Sequence, residues 1–244
     1  MRRLIQSVLG KVGYRLIRLE ATKSILDGCF SALKGLGFAP KHVIDVGAHR
    51  GGWTRRAVKF FPEARYTLVE PQEDLKACVQ DLIAAGYKIE WISAGVGDAA
   101  GQFPFTISHR DDSSSFALSR EEADASGYPQ VIRPVRTLNE IVASSGAPLP
   151  EMVKIDAEGF DLKVLAGASD LLGKTDIVFV EAGVCANNFD NTMTKVIARM
   201  ADAGYRVIDI TDLNRSPKDN VLWLCELAFA RIGSHVLDEA NSYE

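Results

Sequence analysis

Three stretches of this 244-residue chain set acids beside glycines or a lysine at spacings that could support chemistry. The first is Val43-Ile-Asp45-Val-Gly47-Ala48-His49-Arg50-Gly51-Gly52-Trp53. A β-branched run must turn here sharply into a helix, and glycines permit the positive φ and close backbone approach of such a turn. The helix start then offers free N–H groups and a partial positive charge. A dinucleotide fingerprint would read G-x-G-x-x-G, but the glycines fall at 47, 51 and 52 and the middle one is missing. Asp45, two residues ahead of Gly47, would repel a pyrophosphate and suits the ammonium group of an amino-acid moiety. Glu70 ends the second stretch, Arg65-Tyr-Thr-Leu-Val-Glu70, just before Pro71. An acid at that strand end can accept two hydrogen bonds from a ribose diol. A ligand with a ribose and an amino-acid arm but no phosphate is S-adenosylmethionine. Asp45, Gly47, Ala48, His49, Gly51, Glu70 and Pro71 are the expected contacts, with Asp98, at the end of a third run, accepting from the adenine amino group.

The third stretch is Lys154-Ile-Asp156-Ala-Glu158-Gly159. Residues two apart in an extended chain share a face, so Lys154, Asp156 and Glu158 point the same way if the strand persists. Three charges near a strand end are costly to bury unless they pair or work. For methyl transfer to an alcohol, an oxygen lone pair must face the methyl carbon and a base must take the proton. Asp156 and Glu158 are the candidates for orientation and proton removal, with Lys154 as ion-pair partner or charge stabiliser. Alternatively, Asp156 or Glu158 caps the helix beginning near Phe160. Glu181 ends a fifth run, and with Asp156 and Asn187 or Asn188 it could supply an oxygen-rich Mg²⁺ site. Nothing else in the sequence supports a metal, and none is assigned. His49 and His109 lie in cleft loops; His49 reads as a cofactor contact and His109 as a remote candidate base.

The elements that must position these residues alternate from about residue 40. Strands are predicted at 42–46, 65–70, 88–96, 152–156, 176–181, 205–210 and 221–229, with helices to Phe61, over 72–85, to Leu172 and around 189–203. This is an α/β pattern: a three-layer Rossmann-like seven-stranded sheet covered on both faces. The last two strands are joined by about ten polar residues, too few for a crossover helix, so the final strand should run antiparallel. Residues 99–136 break the alternation as a strand-loop-strand insertion, and the polar loop at 108–130 could act as a binding lid. Residues 24–244 are read as a single domain.

Composition narrows the function classes. Hydrophobic residues make up 47% and charged residues 25%, which excludes wholesale disorder. A formal charge of −4 argues against a nucleic-acid partner held on a broadly basic surface. Cys29, Cys78, Cys185 and Cys225 form no CxxC pair, as suits reduced thiols in a cytoplasmic protein. Residues 1–23 carry six basic side chains against one acid, with Leu4, Val8, Val12 and Leu16 recurring every four residues. They read as a basic amphipathic helix, for peripheral contact with the inner face of a membrane or for packing on the domain or on a second copy of the chain.

These motifs together resemble the FkbM-type S-adenosylmethionine-dependent methyltransferases. The matching stretches are Val43 to Thr54, Leu68-Val-Glu-Pro71, Ala94-Gly-Val-Gly-Asp98 with Gly101, and Arg136-Thr-Leu-Asn139. The narrowest is Val153-Lys-Ile-Asp-Ala-Glu-Gly-Phe-Asp161 followed by Val164-Leu-Ala-Gly-Ala168. The resemblance covers about residues 40–182 and departs at position 49, where His stands for the usual Asn. It implies a class I methyltransferase fold with the last strand antiparallel, and O-methylation of a hydroxyl on a sugar, glycolipid or natural product. Methylation of a nitrogen or carboxylate, and a non-catalytic cofactor-binding partner subunit, are the alternatives; an NAD-dependent dehydrogenase is more distant.

Overall fold

The computed structural model describes residues 24–185 and 190–240. Helix α1 (Ile25–Gly35) starts where the Ser24 hydroxyl accepts the Asp27 N–H at 3.1 Å. Strand β1 (His42–Val46) runs through the turn at Gly47–Gly51 into α2 (Gly52–Phe60). Strand β2 (Arg65–Val69) is followed by a 3₁₀ segment (Glu73–Val79), α3 (Gln80–Ala84) and β3 (Lys88–Ile92). The expected single helix over 72–85 is thus a tighter 3₁₀ turn with one short α segment.

The expected third strand, 88–96, is two strands. After Ile92 the chain turns, with the Ala94 N–H on the Ile92 carbonyl at 3.1 Å, and Gly95–Val96 become β4 of a second sheet. That sheet has the order β4-β6-β5, with β5 at Gly101–Thr106 and β6 at Gln130–Arg136. Between β5 and β6 the insertion forms α4 (Arg120–Ser126), closed by a Ser119–Glu122 capping box that the sequence reading left inside a loop. Gly95 has no room for a side chain, because a Cβ there would lie 2.3 Å from the Phe116 ring.

Helix α5 (Leu138–Ser145), β7 (Met152–Ile155), α6 (Asp161–Ala166), β8 (Ile177–Gly183) and α7 (Met193–Asp202) continue the alternation. Helix α6 stops well short of the expected Leu172. At Gly167 the chain passes so close to the Gly97 carbonyl that a Cβ would sit 2.0 Å from its oxygen. Strands β9 (Tyr205–Arg215) and β10 (Leu222–Arg231) form a hairpin, followed by α8 (His235–Glu239).

The large sheet has seven strands in the order β3-β2-β1-β7-β8-β10-β9. β10 is antiparallel to both neighbours and the other central pairs are parallel, as expected from the short final connection. Alternation divides the core between the two faces: Val43 and Met152 join Phe30, Tyr66 and Phe179 on one, while Ile44, Val153 and Ile155 join Val180 and Leu227 on the other. Among the described residues no helix is long and apolar enough to cross a membrane. The basic leader at 1–23 lies outside the described residues.

Candidate active site

β1 and β7 are adjacent, and their register sets Asp45 opposite Lys154. Both point to the same face at the carboxyl end of the sheet, and both are buried. Lys154 Nζ lies 3.4 Å from Asp45 Oδ1 and 3.1 Å from Asp156 Oδ2, and donates to the Gly47 carbonyl at 3.0 Å. Burial alone would lower the Lys154 pKa; Asp156, Asp45 and Glu226 overcome it and hold the ammonium well above its usual range. Burial raises the Asp45 pKa, against Lys154 and against the Thr54 hydroxyl that donates to Oδ2 at 2.6 Å.

This geometry corrects the expected role of Asp45. It is wholly buried beneath the turn and absent from the cavity wall, where it pairs with Lys154 and Thr54. Gly47 has φ +68°, and a Cβ there would lie 1.8 Å from the Asp156 carbonyl oxygen. Lys154 and Gly47 therefore lock the first turn onto the loop that follows β7.

β7 ends at Ile155, so strand alternation does not carry Glu158 to its place. The loop instead bends through left-handed φ at Glu158 (+50°) and Gly159 (+89°). Asp161, fully buried at the start of α6, accepts the Ala157 N–H at 3.0 Å and the Gly159 N–H at 3.1 Å. The Asn191 amide donates to Asp161 Oδ2 at 2.8 Å and to the Glu181 carbonyl at 3.3 Å, tying the end of β8 to the same loop. Neither Asp161 nor Asn191 was singled out as functional from sequence, although Asp161 belongs to the narrow motif.

Carboxylate oxygens of Asp156, Glu158 and Glu181 thus come within 4.8 Å of one another. Burial first, and then neighbouring acids, push Glu158 up to about 8 and Asp161 up to about 7, and hold Glu181 well above the carboxylate range. Among the described residues nothing hydrogen-bonds Asp156 Oδ1. Three such carboxylates can share protons or hold a divalent cation, a set that sequence spacing did not assemble. Asn187 and Asn188 lie outside the described residues.

The trio opens onto a cavity of about 1000 Å³. Val46, Gly47, His49, Glu70, Pro71 and Ala94–Val96 line one side. Glu70 is buried: Oε2 accepts the His49 N–H at 2.9 Å and Oε1 the Gln72 N–H at 3.0 Å. Burial raises its pKa against these two bonds. Oε1 also accepts the Gln72 side-chain amide at 3.3 Å, so Oε2 is the oxygen with a second lone pair for a ribose hydroxyl. Ala48 and Gly51 do not line the cavity; they shape the turn, Gly51 with φ +75° at the N-cap of α2. Asp98 is exposed just beyond β4 and is absent from the cavity wall, contrary to its expected place beside the adenine. His109 packs edge-on against Tyr128 at 5.1 Å, away from the wall.

The remaining wall comes from the insertion, Arg110 to Leu118, and from the β9–β10 hairpin. The insertion is fastened to the loop after β7: Ser115 Oγ donates to the Glu158 carbonyl at 2.6 Å, and Phe116 packs on Phe105 and Phe160.

The model of the FkbM methyltransferase domain matches residues 45–207. No curated protein matches the sequence. The chain is also similar to several solved methyltransferases. A precorrin-6y C5,15-methyltransferase from Geobacter metallireducens GS-15 is 13% identical over 90% of this chain and 94% of its own, with a TM-score of 0.46. The N-methyltransferase NodS from Bradyrhizobium japonicum WM9 is 9% identical over 85% and 96%, with a TM-score of 0.48. The O-methyltransferase NcsB1 from neocarzinostatin biosynthesis, solved with S-adenosyl-L-homocysteine and 1,4-dihydroxy-2-naphthoic acid, is 12% identical over 84% and 52%, with a TM-score of 0.44.

Proposed function

The chain belongs to the FkbM methyltransferase family, and from that premise we propose that it methylates a hydroxyl oxygen of a sugar, glycolipid or natural-product acceptor. S-adenosylmethionine is the cofactor; when bound, it supplies an electrophilic methyl group on a sulfonium. The residues present fit it: Glu70 offers an acceptor to a ribose hydroxyl, Gly47 and Val46 present backbone, and Ala94–Val96 form an apolar strip, with no cation among them to favour a phosphate.

The observation that carries the reading is the convergence of Asp156, Glu158 and Glu181 beside that cofactor wall. An alcohol must lose its proton as its oxygen is alkylated, and a base with a pKa near the working pH does this best. Glu158, pushed up to about 8, suits that task. Asp156, ion-paired to Lys154, accepts from the acceptor hydroxyl and orients its lone pair. Glu181, whose pKa burial and the neighbouring acids raise well above the carboxylate range, flanks the same acceptor position. Lys154 is saturated by two carbonyls and two carboxylates, so it fixes geometry and charge and moves no proton.

The leader at 1–23 supports peripheral contact with an anionic bilayer on the cytoplasmic side, which suits a lipid-linked acceptor. Radiolabelled methyl transfer to a panel of glycans, with the Asp156→Asn and Glu158→Gln variants alongside, tests the assignment. Turnover should fall in both variants, most in Glu158→Gln, while S-adenosylhomocysteine still binds by calorimetry. Normal turnover in both would remove the carboxylates from the reaction.

A further inference from the structure

The β9–β10 hairpin extends past the carboxylates, and its register slips between Leu222, which faces Arg215, and Leu224, which faces Asn214. Trp223 is therefore the extra residue of a β-bulge, a device that re-aims a side chain at the rim of a sheet. Its carbonyl accepts the Val184 N–H at 2.9 Å and the Cys185 N–H at 3.3 Å, which fixes the bulge against the end of β8. The indole lines the cavity and is 36% exposed. Val184 lies just past the end of β8, and Trp223 lines the same cavity as Asp156, Glu158 and Glu181, so a ring lying on the indole can present a hydroxyl toward the carboxylates.

The hairpin's part of the wall mixes Asn214, Arg215 and Ser216 with Pro217 and Leu224, and the insertion adds Asp112 and Ser113 to the same cavity. Arg215 lines the cavity, and its Nη1 donates to the Asn220 carbonyl at 3.0 Å, which holds the guanidinium on the hairpin. An apolar plate inside a collar of hydrogen-bonding groups matches a saccharide ring, whose C–H face is apolar and whose edge carries hydroxyls. A wholly aromatic acceptor would leave that collar unsatisfied.

We propose that Trp223 is the specificity-determining platform for the acceptor, stacking against a sugar ring while Asn214 and Arg215 hydrogen-bond its hydroxyls. The assignment rests on the methyl-transfer reading above. It is tested on the full chain with methyl glycosides and, in parallel, with a dihydroxynaphthalene as the flat aromatic competitor. Trp223→Ala should raise KM for the glycoside about tenfold, Trp223→Phe should restore most of it, and S-adenosylhomocysteine affinity should stay unchanged in both. Glycoside binding is also read without turnover, as a saturable change in tryptophan fluorescence that Trp223→Phe abolishes. Turnover of glycosides with an unchanged KM in Trp223→Ala would overturn the platform, as would preferred methylation of the naphthalene. A fluorescence response with no turnover on any glycoside would instead leave the platform standing and remove the methyl-transfer reading.

Discussion

Neutralising Asp156 should move the pH dependence of catalysis to lower pH, by an amount that follows from the site's geometry. Glu158 is raised to about 8 by burial first and by Asp156 next. The carboxylate oxygens lie within 4.8 Å, at which two unit charges interact by about 3.5 kcal/mol for an effective dielectric of ~20. The Asp156 side chain is 34% exposed, so solvent screening cuts this to roughly 1.5 kcal/mol, about one pH unit. Removing the negative neighbour makes ionised Glu158 easier to hold, so its pKa falls. Lys154, no longer offset by Asp156, pushes the same way. In the parent, kcat/KM should rise with pH through a midpoint near 8 as Glu158 becomes the base. In Asp156→Asn the amplitude drops, but the midpoint moves to about 7. Glu158→Gln should lose the limb altogether and fall by roughly 10²–10⁴-fold. Radiometric kcat/KM profiles measure this, with ¹³C chemical shifts of the glutamate carboxyls giving the same midpoint independently of rate. A midpoint that stays put or moves upward in Asp156→Asn would refute the coupling, and a limb that survives Glu158→Gln would refute the base.

Three other outcomes follow from the same contacts. Lys154→Met leaves Asp45 buried without its cation and should cost about 3–5 kcal/mol in urea unfolding. Because the folded-state pKa of Asp45 is raised, that deficit is full at high pH and shrinks as pH falls through it, so equal losses at pH 5 and pH 8 would contradict the ion-pair account. Glu70→Gln should weaken S-adenosylhomocysteine binding by about 1.5–3 kcal/mol, some ten- to a hundredfold by calorimetry; a change under twofold would take Glu70 off the ribose. Asn191→Ala frees the loop after β7 from the end of β8 and should lower kcat about tenfold with S-adenosylhomocysteine affinity unchanged. A kcat equal to the parent's would make Asn191 a purely structural residue.

The strand ends that carry Glu70, Lys154 and Glu181 were legible because each is closed locally, by a proline, a glycine or a change of hydrophobic period. The seven-stranded sheet and its antiparallel final strand followed from the alternation and one short connection, whereas the strand order did not. What local spacing could not supply was the partner across the sheet. Asp45 reads as a ligand contact along its own strand, yet register places it against Lys154 and turns it into a buried anchor. Asp98 fails for a related reason. Its run is one strand by composition, but Val96 has a better partner in Arg136 of β6, which was itself read as part of a detached insertion. Glu158 was selected on an alternation that stops at Ile155, and reaches the site only because Asp161 gathers two backbone N–H groups and bends the loop. Trp223 carried no sequence signal, since a bulge is a mismatch between two strands and neither strand alone records it.

Charge accounting ties these features together. Lys154 is the one buried cation among the described residues of the site, and Asp45 and Asp156 already share it. Glu158, Asp161, Glu181 and Glu226 face that same field with no cation of their own, and all four pKa values are raised. Such a set keeps part of its protons at neutral pH, and an added positive charge releases them. On the proposed reading, Glu70 and Gly47 would hold a sulfonium cofactor whose charge would favour the ionised form of Glu158. The excess of acids, unfavourable for stability in isolation, would thereby couple readiness of the base to occupancy of the cofactor wall.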